Sequence, residues 1–401
     1  MTSGRIIFLN RFYWPDEPAT AQLLADLAPA LAARGHNVTV VASRPAGAAA
    51  SEIRDGVTIE RLRCPRWGRA HLAGRALDFA AFHWAAAWWL LRRVRPADTL
   101  VAMTDPPLIG VLAWLLAKRN HARLIHWVQD IYPEIAVEVT GRRALLALRP
   151  ARNAAWKSAT ASVVPGEDMA AAVRAAGVAP ARVHVVPNWA PAGLAPAAEP
   201  ALAARRRAWD LEGKFVAAYS GNLGRVHDLA PLLDTAAQLR DDPSFVLLFI
   251  GTGARRPAVE AAVRDRALTN VRFLPAQPRR DLAVTLGVAD VHFVTLRPCA
   301  SQWVFPSKLY GAAAVARPVV FVGDRDSGLA RAIVGGGFGA VFAREETAAI
   351  AALLRRLKDN AAERAALGAG ARRFATGGDQ RAFDAWAGLL RGALAEAVPA
   401  R

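Results

Sequence analysis

Short apolar runs and longer helical runs alternate over nearly all of the 401 residues, and this alternation restricts the fold more than any other feature. In the first half the strand-like runs are 6–9, 38–42, 57–62, 99–103, 123–128, 161–164 and 183–186. Helical periodicity falls at 20–34, 72–93, 108–118 and 167–176. A second set follows, with strands at 215–219, 245–250, 271–273, 291–295 and 319–322, and helices at 229–239, 257–265, 280–286 and 309–316. Strands that alternate with helices imply a mostly parallel sheet covered on both faces. One core seldom serves more than about 250 to 300 residues, so two such α/β domains are expected. Residues 188–204, proline- and alanine-rich with little periodicity, read as the linker. The domains are then 1–190 and 191–379, followed by an amphipathic helix over 380–401.

Two segments of the second domain read as anion handles. Tyr219-Ser220-Gly221-Asn222-Leu223-Gly224-Arg225 is a strand-to-helix turn whose glycines let the backbone approach a ligand, with a helix start behind it. Phe305-Pro306-Ser307-Lys308-Leu309-Tyr310 opens an alanine-rich helix, and a first turn with unpaired amides beside a lysine ammonium is a second such place. Gly251-Thr252-Gly253 follows another strand and would shape a pocket for base or ribose, or be ordinary turn chemistry.

The formal charge of +17 suits nucleic acid, an anionic membrane surface, or a genome that writes arginine often. Placement favours the membrane. Residues 61–95 hold eight arginines (61, 63, 66, 69, 75, 92, 93 and 95) against the single acid Asp78. On a helix, Leu77, Ala81, Trp84, Trp88 and Leu91 share one face, and Phe79, Phe82, Ala86 and Trp89 form a second stripe. Either both stripes are buried, or one packs on the domain and the other meets an anionic lipid headgroup region. No uncharged run reaches the roughly 18 residues of a membrane span. No signal peptide precedes the first strand, so a cytoplasmic, peripheral protein is expected. Cys64 and Cys299 lie far apart and suggest neither a disulfide nor a zinc site.

Several segments together resemble family 4 (group 1) retaining glycosyltransferases, most closely the WbuB-like subgroup of bacterial surface-polysaccharide synthesis. They are Asn10 to Asp16 with Thr20 to Leu24, Arg34-Gly35-His36, Asp105-Pro106-Pro107, Trp127 to Glu134, Val186-Pro187-Asn188, the Ser220 to Gly224 turn, Gly251-Thr252-Gly253 and Pro306 to Tyr310. The resemblance implies the GT-B fold, two Rossmann-like domains facing each other with a final helix crossing back to the N-terminal one. It also implies a UDP- or GDP-linked sugar held by the C-terminal domain and a lipid-linked glycan acceptor by the N-terminal one, for exopolysaccharide or O-antigen synthesis. The wider family's two glutamates are replaced by Trp303 and Gly311, and His227-Asp228 stands where lysine or glutamine followed by glycine is common.

The departing diphosphate needs fixed positive groups. Amides at Gly221, Asn222 and Gly224, the Arg225 guanidinium and the Lys308 ammonium would supply them, with Gly251, Gly253, Pro306, Ser307, Leu309 and Tyr310 around the donor. No metal or other cofactor is expected, since no Asp-x-Asp element appears between the candidate strands. Asp130 lies just past a strand, where a carboxylate would orient or deprotonate the acceptor hydroxyl, or would cap the next turn. Glu134 is a weaker candidate, His126 reads as a core or supporting histidine, and Asp16, Glu17 and Thr20 form a loop toward the donor phosphates. A nicotinamide oxidoreductase is disfavoured because no Gly-x-Gly-x-x-Gly follows the first strand. A sugar-nucleotide epimerase and a basic nucleic-acid-binding protein are the remaining alternatives, and no nucleic-acid partner is expected.

Overall fold

The computed structural model describes residues 4–65 and 72–395. The chain divides into two compact units, one made of residues 1–188, 302–305 and 380–401, the other of 189–301 and 306–379.

In the first unit, strands β1 (Ile6–Leu9), β2 (Val38–Ser43), β3 (Ser51–Arg54), β4 (Val57–Leu62), β5 (Thr99–Ala102), β6 (Arg123–Trp127), β7 (Ala161–Val164) and β8 (Val183–Val185) form one sheet. Its order is β3-β4-β2-β1-β5-β6-β7-β8, and every pair is parallel except β3 with β4. β1, β2, β5 and β7 are buried throughout, as a sheet covered on both faces requires. The edge strand β3 escaped the periodicity reading. It pairs with β4 through Asp55-Gly56, both with positive φ, the pattern of a tight hairpin. From Gln380 on, the helix Gly378–Ala395 belongs to this unit and buries Ala382, Phe383, Trp386, Ala387 and Leu390 along one stripe. The Trp386 indole packs edge-on to Trp127 at 5.0 Å between centroids and lies 6.3 Å from the Phe8 ring.

The second unit holds β9 (Phe215–Ser220), β10 (Phe245–Ile250), β11 (Val271–Leu274), β12 (Val291–Thr295), β13 (Val319–Val322) and β14 (Gly339–Phe342), all parallel in the order β11-β10-β9-β12-β13-β14. Part of the expected linker is ordered: Glu199–Ala208 is a helix, and its Leu202 packs so closely on Gly287 that a Cβ there would meet Leu202 Cδ2 at 2.6 Å. Each sheet has one point where strand order reverses, between β1 and β5 in the first unit and between β9 and β12 in the second. Ligands of open α/β sheets gather beyond the carboxyl ends of strands at such points.

Candidate functional site

At the second unit's reversal point the chain leaves β9 and turns at Gly221, whose φ of +120° suits glycine. This turn interlocks with the one after β10. Gly221 N donates to Ile250 O at 2.8 Å, Leu223 N to Thr252 O at 2.8 Å and Arg255 N to Leu223 O at 3.0 Å. A Cβ on Gly251 would lie 2.2 Å from Gly221 O, and one on Gly253 2.5 Å from Leu223 O. Gly251 and Gly253 therefore let two turns nest, whatever else they line. The expectation for the Gly221 amide is corrected, because Ile250 already occupies it. The amides of Asn222 and Gly224 carry no hydrogen bond among the described residues, and Arg225 is exposed beyond them.

Lys308 begins the seven-residue helix Lys308–Ala314 and comes back over this turn. Its Cε lies 3.0 Å from where a Cβ of Gly221 would stand, and its Nζ is 3.1 Å from His227 Nε2 and 4.9 Å from the centroid of the Tyr219 ring. Burial lowers the lysine to about 7. His227 is lowered to about 3, by burial first and the Lys308 charge second, so its ring is neutral near pH 7. Among the neighbours expected to line the donor, Pro306 is buried and Ser307 is exposed with no cap bond from its hydroxyl. Leu309 is fully buried and Tyr310 stacks on Phe374 at 5.9 Å, which corrects them to packing residues that seat the helix. A Cβ on Gly311 would meet Leu286 Cδ1 at 3.1 Å, and Trp303 packs in an apolar cluster of the first unit, so no carboxylate enters at either position.

In the first unit, the loop after β1 carries Asp16 and Glu17, whereas Thr20, expected in the same loop, lies in the first turn of the helix Ala19–Ala33. Asp16 N donates to Tyr13 O at 2.9 Å, Glu17 is exposed, and Thr20 Oγ1 accepts a long 3.4 Å bond from Asn10 Nδ2. Beside them Arg11 pairs with Asp105 at 3.1 Å. Asp130 follows β6 and is held by a backbone bridge to Val304, with Ile131 N donating to Trp303 O at 2.8 Å. Burial first, then the nearby Asp105 charge, pushes its carboxyl up to about 7. The helix Glu134–Thr140 that follows has Pro133 at its N-cap and no side-chain cap bond, so Asp130 does not cap that helix.

Asp130 shares a cavity of about 30 Å³ with His126, Tyr132 and Arg152, room for about one water. His126 is 3% exposed, its Nε2 has no hydrogen-bond partner among the described residues, and burial lowers it to about 4. Glu134 is corrected to a structural role: its carboxylate takes bonds from Arg149 Nε at 2.8 Å and Arg152 Nη2 at 2.9 Å. Those partners lie 15 and 18 residues away, beyond what local spacing reveals.

The helix Leu72–Arg93 resolves the question of its two stripes. Phe82, Ala86 and Leu90 are fully buried, whereas Leu77, Trp84, Trp88 and Leu91 are 53%, 78%, 57% and 43% exposed. Arg63, Arg75, Arg92, Arg93 and Arg95 are exposed as well, and the Arg92 guanidinium sits 3.2 Å from the Trp88 ring centroid. Arg61 is corrected to an interior role, buried and paired with Glu52 at 2.7 Å; Arg66 and Arg69, with Trp67, lie outside the described residues. No described helix is long and apolar enough to cross a membrane, and no described cluster of three metal-ligating side chains occurs.

Residues 20–189 match the glycosyl transferase 4-like domain, and residues 204–374 match the glycosyl transferases group 1 domain. Among curated relatives, the chain is 26% identical over 342 residues to WcaI of Escherichia coli K12, named for colanic acid biosynthesis and glycosyl transfer, covering 80% of this chain and 83% of WcaI. It is 25% identical over 344 residues to WbjE of Pseudomonas aeruginosa, named a glycosyltransferase, covering 84% and 85% of the two chains. Among solved structures, sucrose-phosphate synthase of Thermosynechococcus elongatus superposes with a TM-score of 0.81 at 18% identity, covering 98% of this chain and 100% of the other. Anabaena HepE in complex with UDP-glucose superposes at 0.73 and 15% identity, covering 98% and 99%. Two parallel-sheet units, each matching its half of the same enzyme architecture, leave one assignment: the chain belongs to the family 4/group 1 glycosyltransferases of GT-B fold.

Proposed function

We propose that this glycosyltransferase is a retaining enzyme of the WbuB-like kind. It moves a hexosyl or acetamidosugar unit from a UDP- or GDP-sugar to a lipid-linked glycan in surface-polysaccharide or O-antigen synthesis. It works as a peripheral protein on the inner face of the cytoplasmic membrane. The observation that carries the reading is the Lys308 ammonium held 3.1 Å from a neutral histidine, against a glycine turn at the reversal point of a parallel sheet. As the bond from the anomeric carbon to the diphosphate oxygen breaks, negative charge collects on the diphosphate. Lys308, the amides of Asn222 and Gly224, and Arg225 stabilise it without a metal. The anomeric carbon gains a bond to the acceptor oxygen, and the acceptor's proton passes to Asp130, whose pKa of about 7 leaves it partly ionised at neutrality.

The donor class follows the UDP-glucose of HepE, and the surface-glycan setting follows the names of WcaI and of the lipopolysaccharide enzyme WaaG. The lipid setting follows the basic, tryptophan-bearing outer face of the helix Leu72–Arg93. The test is a panel of UDP- and GDP-sugars scored by thermal stabilisation, then by transfer to membrane lipid extracts; a bound donor raises the melting temperature by mass action. No stabilisation by any nucleotide sugar would overturn the reading.

A further inference from the structure

His227 occupies a place the proposed chemistry leaves unexplained. It is buried, and its ring is caught between two fixed groups: Nδ1 lies 2.6 Å from Thr295 O, and Nε2 lies 3.1 Å from Lys308 Nζ. A carbonyl oxygen only accepts, so Nδ1 carries the proton and donates to Thr295 O. Nε2 is then a bare lone pair, and Lys308 must be the donor across that contact. Thr295 ends β12 and His227 lies in the turn after β9, so the two strands that flank the sheet's reversal point jointly set the ring. The face of Tyr219 takes the ammonium from another side, at 4.9 Å from the ring centroid.

Buried ammonium groups are usually paired with a carboxylate. Here none is: among the described residues Lys308 forms no ion pair. A carboxylate at position 227 would hold Nζ more tightly but would cancel its charge and repel a phosphate. A neutral imidazole fixes the direction of one N–H and leaves the full charge, with the remaining N–H donors, for an incoming anion. The lowered pKa of about 7 agrees with a cation that lacks a counter-ion until one binds.

We propose that His227 is the positioning residue for Lys308, a neutral acceptor locked by the Thr295 carbonyl that aims the ammonium at a donor diphosphate without neutralising it. The inference rests on the reading of Lys308 as a diphosphate-binding group. It adds that the acceptor must be uncharged.

The test measures the affinity of the whole protein for UDP, GDP and the phosphate-free nucleosides uridine and guanosine by calorimetry, with melting temperatures to establish that each variant is folded. Lys308→Ala reports on the parent reading. His227→Leu removes the acceptor and should weaken binding of the preferred diphosphate about tenfold or more, the scale of a lost hydrogen bond to a charged group, with nucleoside affinity unchanged. His227→Gln, whose amide oxygen also accepts, should recover most of the loss. His227→Glu should bind the diphosphate no better than His227→Leu, because the pair formed with Lys308 is neutral. The proposal is overturned if folded His227→Leu binds the diphosphate as the parent does, if nucleoside and diphosphate affinities fall together, or if His227→Glu binds more tightly than His227→Gln. Should Lys308→Ala weaken the diphosphate while His227→Leu does not, the family reading stands and only the role of His227 falls.

Discussion

The outer face of the helix Leu72–Arg93 gives a prediction whose size can be worked out in advance. Replacing Arg92, Arg93 and Arg95 with Gln removes three exposed cations, each worth about 1 kcal/mol near an anionic bilayer, so about 3 kcal/mol and on the order of a hundredfold in vesicle partitioning. Replacing Trp84 and Trp88 with Ser removes two indoles that are 78% and 57% exposed, for roughly 3 kcal/mol more of apolar contact. These side chains face solvent, so the melting temperature should stay within about a degree or two of the parent. Trp89 is unsuited to this test: its Nε1 donates to Glu60 Oε2 at 3.3 Å and its ring packs on the buried cluster beneath the helix. The assay is flotation with anionic vesicles, with neutral vesicles and high salt as the arms that isolate the arginine contribution. Activity on a lipid-linked acceptor should fall with flotation, while transfer to a short soluble analogue persists. If the five-residue variant floats as the parent does, the exposed stripe is not a membrane contact and the +17 charge has another explanation.

Three further outcomes are expected. Asp130→Asn should lower kcat by on the order of a hundredfold or more at unchanged donor affinity. The parent's kcat/KM should be bell-shaped around neutrality: it rises as Asp130 loses its proton near 7 and falls as free Lys308 loses its own near 7, and the asparagine variant should lack the acid limb. Glu134→Ala should cost about 3 to 5 kcal/mol in urea unfolding, because it strands the buried Arg152 guanidinium; a loss under about 1 kcal/mol would refute the pairing. Gly251→Ala, at φ +134° and with its Cβ 2.2 Å from Gly221 O, should cost about 3 kcal/mol or more, well above Gly141→Ala, where φ is +71° and the space is open.

What sequence reasoning could reach was set by range. Strands buried on both faces, such as Phe245–Ile250, announce themselves as unbroken apolar runs, and the turns at their ends mark where ligands gather. The hairpin at Asp55-Gly56 was equally local and its signal was present, but Ser51–Arg54 is an exposed edge with no apolar run to draw notice. The two stripes of the helix Leu72–Arg93 were legible, while the choice of which one faces out was not, since it depends on what the sheet already covers. His227 lies 68 residues from Thr295 and 81 from Lys308, and Asp130 depends on a bridge to Val304, so neither environment has a footprint in local spacing.

The helix Gly378–Ala395 is the last described element to leave the ribosome, yet its Trp386 covers Phe8 and Trp127, near the beginning and the middle of the first unit. Translation proceeds at about 5 to 20 residues per second, so those two rings wait bare for on the order of ten seconds or longer while the second unit is made. The nascent first unit thus lacks the cover of its own final helix for that interval. A fragment ending at Asn188 would retain that exposed aromatic surface permanently, and adding Gly378–Ala395 as a separate peptide should suppress its aggregation.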